Sequence, residues 1–261
     1  EHEDIPRLLE IPIAPSNEKC YRENHLLALV AWDESFCAGR PGVGVCQGDS
    51  GGGFFIEKNS KFYFKGLVSS GASSTSAVIQ SGCYTQNYAV YTDIVKYSEF
   101  IGVPKITRPK LTISTPIPKG TCGVMSSESS LVVGGKFSTL EQFPWLASIF
   151  KRTNDTFNHE GSGSLISSRH VISEAYSVAK INNGIYEAVA SNNIKIYFGS
   201  LKYKSEDDPD LIKIDEIEKI FVHPKARAGD LRVFNVAVTT LKEALKFSKI
   251  ISPVCLGYFE E

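Results

Sequence analysis

The sequence predicts an all-β chain of barrel type, built from two β-rich segments. Three observations carry this. Short runs of β-branched and aromatic residues, bounded by turn residues, recur through residues 1–103 and again through 132–256. Helical periodicity is confined to two short stretches. A proline-rich stretch at residues 104–120 separates the two segments, and prolines neither complete a ladder nor favour compact backbone.

In chain order, Phe62-Tyr-Phe64, Gly66-Leu-Val68 and Ala89-Val-Tyr91 read as strands. Residues 94–101 read as one amphipathic helix, with Ile94, Tyr97, Phe100 and Ile101 on its apolar face. Pro104, Pro109, Pro116 and Pro118 mark the linker. Residues 193–198 and 212–220 alternate in the manner of strands. A short helix is expected near residues 173–178, and no solenoid-type repeat occurs. The resulting division is 1–103, a linker at 104–131 that carries Cys122, and 132–261.

Composition narrows the function. Of 261 residues, 42% are hydrophobic and 22% charged, as in an ordinary globular chain. The formal net charge of −1 and the lack of a basic run give no reason to expect nucleic acid or membrane as partner. No apolar run approaches the ~20 residues of a spanning helix. The opening Glu1-His-Glu-Asp4 reads as mid-domain, so the N-terminus is expected to be a truncation or processing product. Six cysteines suit a disulfide framework, although spacing alone leaves the pairing open. His2, His25, His159, His170 and His223 do not cluster with them, so neither a metal nor any cofactor is expected. Disulfides point to an oxidising compartment and hence to secretion. Asn154-Asp-Thr156 is a glycosylation sequon.

The chemical motif is Cys46-Gln-Gly-Asp-Ser-Gly-Gly-Gly53. A serine hydroxyl is a poor nucleophile until it is positioned and deprotonated. Glycines let the backbone turn so that the N–H groups of Gly48 and Ser50 can face a developing oxyanion. A glycine-rich turn with a surface serine is the plain alternative. Its neighbours argue against that: Phe36-Cys-Ala-Gly39 before it, then Gly66-Leu-Val-Ser-Ser-Gly71, Gly82-Cys83 and Val90-Tyr-Thr-Asp-Ile94 after it.

Together these motifs resemble the second half of a chymotrypsin-like (S1 family) serine protease domain, over residues 5–103. The resemblance implies Ser50 as nucleophile, Gly48 and Ser50 as oxyanion donors, and Asp49 as partner of the N-terminus freed by activation. It implies disulfides Cys20–Cys37 and Cys46–Cys83. The pocket floor falls on Gly44, and substrate contacts on Ser69, Gly71 and Ala89. A trypsin-like floor carries Asp, so this pocket is expected to be uncharged and apolar. Two departures touch its rim: a long stretch at 72–82, and Ser70 where the family keeps Trp.

Residues 132–255 resemble the first half of such a domain. Leu131-Val-Val-Gly-Gly-Lys136, Gln142-Phe-Pro-Trp-Leu146, Val222-His-Pro224 and Ser252-Pro-Val-Cys-Leu256 carry that resemblance. The last implies a Cys122–Cys255 disulfide. Tyr176 stands where the family's His stands, and Asn235 where its Asp stands. Tyrosine, with a reference pKa near ~10, cannot act as the neutral base that imidazole provides. Gly161 and Ser177 replace the cysteines that flank the His. His170 is expected to be structural, and Asp230 a loop acid. Leu131 precedes Val132 where tryptic activation needs a basic residue.

The order of the halves is reversed, C-terminal barrel first. The chain is expected to be cut from a tandem, its second unit a pseudoprotease. The halves are also able to dock as a circularly permuted, protease-like double barrel. The resemblance implies a secreted serine endopeptidase acting on protein or peptide substrates, with a non-catalytic homologue in a protease cascade as the alternative. Other proteases or inhibitors of such a cascade are the expected partners.

Overall fold

The structure, a computed structural model, describes residues 7–23, 27, 33–45, 48–71, 88–102, 122–125, 136–137, 141–199, 212–214, 216–227 and 234–257. The first segment contributes β1 (Arg7–Leu8), α1 (Asn17–Glu23), β2 (Ser35–Ala38), β3 (Gly53–Lys58), β4 (Lys61–Gly71) and β5 (Ala89–Asp93). A 3-10 turn, Ile94–Tyr97, then runs into α2 (Ser98–Ile101). The second segment contributes β6 (Lys136–Phe137), β7 (Leu146–Thr153), β8 (Thr156–Leu165), β9 (His170–Ser173), α3 (Ala175–Val178), β10 (Ala179–Asn182), β11 (Ile185–Ala188), β12 (Ile194–Phe198), β13 (Ile212–Ile214), β14 (Ile217–Val222) and β15 (Ala237–Leu241).

Strands dominate, as the sequence predicts. Three hairpins are closed by two-residue turns that begin with asparagine: Asn59 and Ser60, Asn154 and Asp155, Asn183 and Gly184, all at positive φ. That backbone matches the twist of the paired strands, and Asn tolerates it. Asp93 ends β5 and caps the next turn, its carboxylate accepting from the Val95 N–H (3.1 Å) and pairing with Lys65 (2.9 Å). Gly102, at φ 82°, closes α2 in the left-handed conformation that favours glycine.

Two sheets carry the architecture. One has four strands in the order β2-β5-β4-β3, all antiparallel. The other has seven, in the order β13-β12-β7-β8-β9-β15-β14. β13 and β14 lie at opposite ends of that order, yet only residues 215 and 216 join them. Such a connection spans at most about 11 Å. The sheet must therefore curl until its ends nearly meet, which is the barrel form. The continuous strand expected over residues 212–220 is accordingly split. Its first part pairs with β12 and its second with β15.

The two segments share one core. Phe64, Leu67, Ile94, Tyr97 and Ile101 pack in the same cluster as Trp145, Ile149, Leu165, Val238 and Val254. Trp145, fully buried, meets the rings of Phe55 (5.3 Å) and Phe62 (5.9 Å). The edge of β4 is completed by two distant stretches. The Phe62 N–H donates to the Gly123 carbonyl (2.8 Å), the Cys255 N–H to the Phe62 carbonyl (3.2 Å), and the Phe64 N–H to the Cys255 carbonyl (2.9 Å). The Cys122–Cys255 disulfide lies at this seam. β1 also pairs with β6 across the segments.

Cys20 and Cys37 are bonded as the resemblance implies, tying α1 to β2. The Cys46–Cys83 bond falls outside the described residues. α1 itself was not expected from the sequence. Its signal is short but present: Ser16 caps the first turn through Lys19 N (3.2 Å), and Glu18 pairs with Arg22 one turn on (2.5 Å).

Replacing Cys122 and Cys255 together by serine is expected to lower stability by about 5 kcal/mol in the chain-entropy account, given their separation of 133 residues. Denaturant unfolding of the variant against the parent measures this. A loss below about 1 kcal/mol shows that the seam holds without the covalent tie.

Candidate active site

The nucleophile loop is stitched to β4 by its own backbone. The Gly51 N–H donates to the Val68 carbonyl (3.1 Å), the Val68 N–H to Gly52 (2.8 Å), and the Gly52 N–H to Asp49 (2.8 Å). Gly48 (φ 104°) and Gly51 (φ 77°) take conformations that side chains resist. At Gly51 there is also no room, since an added Cβ would lie 2.2 Å from the Ser162 carbonyl oxygen.

That near-collision shows where the loop is seated. The Ser162 N–H, in β8, donates to the Ser50 carbonyl (2.9 Å). A Cβ on Gly161 would lie 2.8 Å from the same carbonyl oxygen and 2.7 Å from Ser177 Oγ. Ser50, of the first segment, is thus fixed against β8 and the 174–177 stretch of the second. Gly161 and Ser177, the two positions that lack the family's flanking disulfide, face each other.

α3 follows β9 directly and presents Tyr176, 39% exposed. Its backbone N–H donates to Asn235 Oδ1 (3.2 Å). A backbone N–H needs an oxygen, so this bond fixes which way the Asn235 amide points. Its Nδ2 then donates to Glu174 Oε1 (2.9 Å). Glu174 is only 2% exposed, and burial holds its carboxyl well above the usual carboxylate range, the bond from Asn235 opposing weakly. Burial thus favours the protonated form of this carboxyl. The Tyr176 hydroxyl is pushed up to about 12, by burial first and then by the Glu160 carboxylate that accepts its hydrogen bond. Lys151 pairs with Glu160 (3.1 Å), donates to the Tyr176 carbonyl (3.0 Å) and stands over the Tyr176 ring (5.0 Å). Tyr176 is held as a neutral phenol and cannot take a proton from a serine near neutral pH.

The expected pocket residues are brought together in part. Gly71 pairs with Ala89 across β4 and β5, and Ser69 occupies the bulge between Val68 and Ser70. Val45, next to Gly44, packs in one cluster with Ala89. Gly44 is half-buried. Residues 72–82, Asp230 and Val132 lie outside the described residues. His170 is buried, with Nδ1 2.7 Å from Ser167 Oγ, away from Ser50 and suited to a structural role.

Comparison with known proteins now settles the kinship. The sequence profile named Trypsin matches in two pieces, residues 2–101 and 132–260. The chain belongs to the trypsin family. This trypsin-family chain is similar to the "Proclotting enzyme" of Tachypleus tridentatus, at 23% identity over 151 residues, or 58% of this chain and 39% of the relative. It is 30% identical over 145 residues to the "Venom serine protease Bi-VSP" of Bombus ignitus, 54% of this chain and 37% of that one. It is 26% identical over 168 residues to "Chymotrypsin-C" of Bos taurus, 64% and 51% of the two. The chain therefore spans between about two fifths and one half of these relatives.

Glu174 was missed as a site residue by sequence reasoning. The signal was an acid within Ile172-Ser-Glu-Ala-Tyr176, a stretch otherwise small or apolar and bound for burial.

Two outcomes test this site. Gly51→Ala is expected to cost about 2–3 kcal/mol or more, through backbone strain and the clash with Ser162; unchanged denaturation would contradict the seating of the loop. For Glu174 the folded pKa is raised, so the unfolded chain releases its proton first. Stability then falls as pH rises above 4.5, the ordinary value, with a slope approaching ~1.4 kcal/mol per unit until the folded pKa is reached. Glu174→Gln is expected to remove that slope and to stabilise the protein at pH 8 but not at pH 4. It should also lower the cost of Asn235→Asp, which otherwise sets a second carboxyl against Glu174. Unfolding curves at the two pH values read both effects.

Proposed function

We propose that the chain folds as a non-catalytic, protease-like unit that binds extended polypeptide without cutting it. Residues 1–103 act as the C-terminal half of a trypsin-like domain and 132–261 as the N-terminal half of a second, degenerate one. The segment 104–131 lets them dock in circularly permuted order. The shared core and the bond between Ser162 and Ser50 support this docking. The observation that carries the loss of catalysis is the Tyr176–Asn235–Glu174 network, which offers a phenol, an amide and a buried carboxyl pushed toward its protonated form where general-base chemistry needs an imidazole and a carboxylate. Gly48 and Ser50 remain as the candidate oxyanion donors. Removal of a triad member leaves only ~10³–10⁴ over water.

Gly44, Ser69, Gly71 and Ala89 then serve binding. An apolar side chain gains about 25 cal/mol per Å² buried there, whereas an arginine or lysine would lack a partner. The disulfides Cys20–Cys37 and Cys122–Cys255 support secretion. Relatives named "Proclotting enzyme" and "Phenoloxidase-activating factor 3", the latter from Holotrichia diomphalia and 28% identical over 156 residues, support a place among the proteases and inhibitors of an activation cascade.

A second reading is favoured by the intact Gly48-Asp-Ser-Gly51 loop. In a longer protein whose preceding residues supply His and Asp, Ser50 is the nucleophile of a secreted serine endopeptidase with the same apolar preference.

The chain is expected to show no Ser50-dependent hydrolysis of a chymotrypsin-type ester, and to bind peptides carrying Phe or Leu more tightly than matched peptides carrying Arg. Ester turnover that vanishes in Ser50→Ala would sink the non-catalytic reading. A dominant preference for Arg would sink the pocket assignment. Labelling by a fluorophosphonate, if it requires added upstream sequence, selects the second reading.

A further inference from the structure

We propose that Asn154 is a site of N-linked glycosylation. It opens the one Asn-X-Ser/Thr sequon in the chain, Asn154-Asp-Thr156. The fold puts that sequon at a place built to carry a bulky group. β7 and β8 form one long hairpin, closed by the pair Thr153 and Thr156, and Asn154 and Asp155 make its two-residue tip. Residues 154, 155 and 156 are all exposed. The Thr156 hydroxyl donates to the Thr153 carbonyl (2.9 Å) and accepts from Asn158 Nδ2 (3.3 Å), bonds at the surface that a sugar on residue 154 leaves intact.

Turn chemistry alone accounts for an asparagine at this backbone, and the chain supplies its own controls. Asn59 and Asn183 occupy the same first position of two-residue turns, equally exposed and also at positive φ. They are followed by Ser60-Lys61 and Gly184-Ile185, with no hydroxyl two residues on. Only the β7–β8 turn combines the shape with the hydroxyl.

The reaction takes a lipid-pyrophosphate-linked oligosaccharide as co-substrate. Asn154 Nδ2 forms a bond to C1 of the first N-acetylglucosamine. The bond from C1 to the pyrophosphate oxygen breaks, the lipid pyrophosphate leaves, and one amide proton is released. No electrons are exchanged.

The position separates the sugar from the candidate active site. From Thr156 to Gly161, which abuts Ser50, β8 runs five residues, or about 17 Å. Near the tip, Phe157 lies beneath the guanidinium of Arg152 (4.9 Å) and the ammonium of Lys195 (4.1 Å). The glycan stands over this apolar and cationic surface rather than over the nucleophile loop.

The test uses the full chain, secreted from insect cells behind a heterologous leader and mapped by mass spectrometry before and after peptide-N-glycosidase. The expected result is a glycan on Asn154, whose removal leaves aspartate at that residue, with Asn59 and Asn183 unmodified. Asn154→Gln, Thr156→Ala and Asp155→Pro each abolish it, and Lys61→Thr adds a second glycan at Asn59. Recovery of the Asn154 peptide wholly unmodified from secreted protein with its Cys122–Cys255 bond formed overturns the proposal. So does a glycan that persists in Thr156→Ala. Neither result depends on whether the chain binds or cuts peptides.

Discussion

The edge of β4 is the constraint on which the rest of the molecule rests. Phe62 and Phe64 give their backbone groups to residues 123 and 255, stretches that follow them by 60 residues and more in sequence. The first part of β4 pairs with β3 on one side only, since β5 joins it from Gly66 onward; such a bare strand side is a liability in water, and here it is closed from within the chain. Closing it aligns everything behind it. Trp145 drops between Phe55 and Phe62, β8 comes against the nucleophile loop, and the Tyr97 hydroxyl reaches the backbone of Phe234 (3.0 Å). The candidate site draws on both segments, which pack into one core.

Within that site Tyr176, Asn235 and Glu174 answer one another. Asparagine at 235 offers an oxygen to Tyr176 and an N–H to Glu174, which a carboxylate could not do. Glu174 in turn is pushed toward its protonated form by burial, and the amide beside it brings no charge. A charge at 235 would meet a carboxyl 2.9 Å away, so the acid and the amide depend on each other. Asn235 thus ties the Tyr176 backbone to the buried Glu174 carboxyl, while Lys151 and Glu160 flank Tyr176 on its other side.

Much of this was legible in the sequence. Alternation and turn residues give the β class, and the Asn-first turns are local chemistry that any strand pair needs. The Cys122–Cys255 bond follows from resemblance, because the motifs on either side keep their order. Less legible was what depends on long-range closure. Residues 212–220 alternate without a break, and only the curl of the barrel decides that residues 215 and 216 must carry the chain from one end of the sheet to the other. Glu174 hid in a familiar stretch, because its meaning lies in Asn235, some 60 residues on. α1 is too short for periodicity to announce it, and its cues were the cap at Ser16 and the Glu18–Arg22 pair.

The seam also has a history in time. As the chain is made, β3 and β4 emerge long before the residues that cover them. The Phe62 carbonyl and the Phe64 N–H must wait nearly 200 further residues for Cys255. Contacts of such sequence separation are slow to form, and an apolar hairpin with a bare edge is what self-association and chaperones recognise. At ribosomal rates of ~5–20 residues per second, that interval is on the order of ten to forty seconds. The arrangement that gives the finished molecule its shared core thus sets a vulnerable interval in its synthesis, ended only when residues 253–255 arrive.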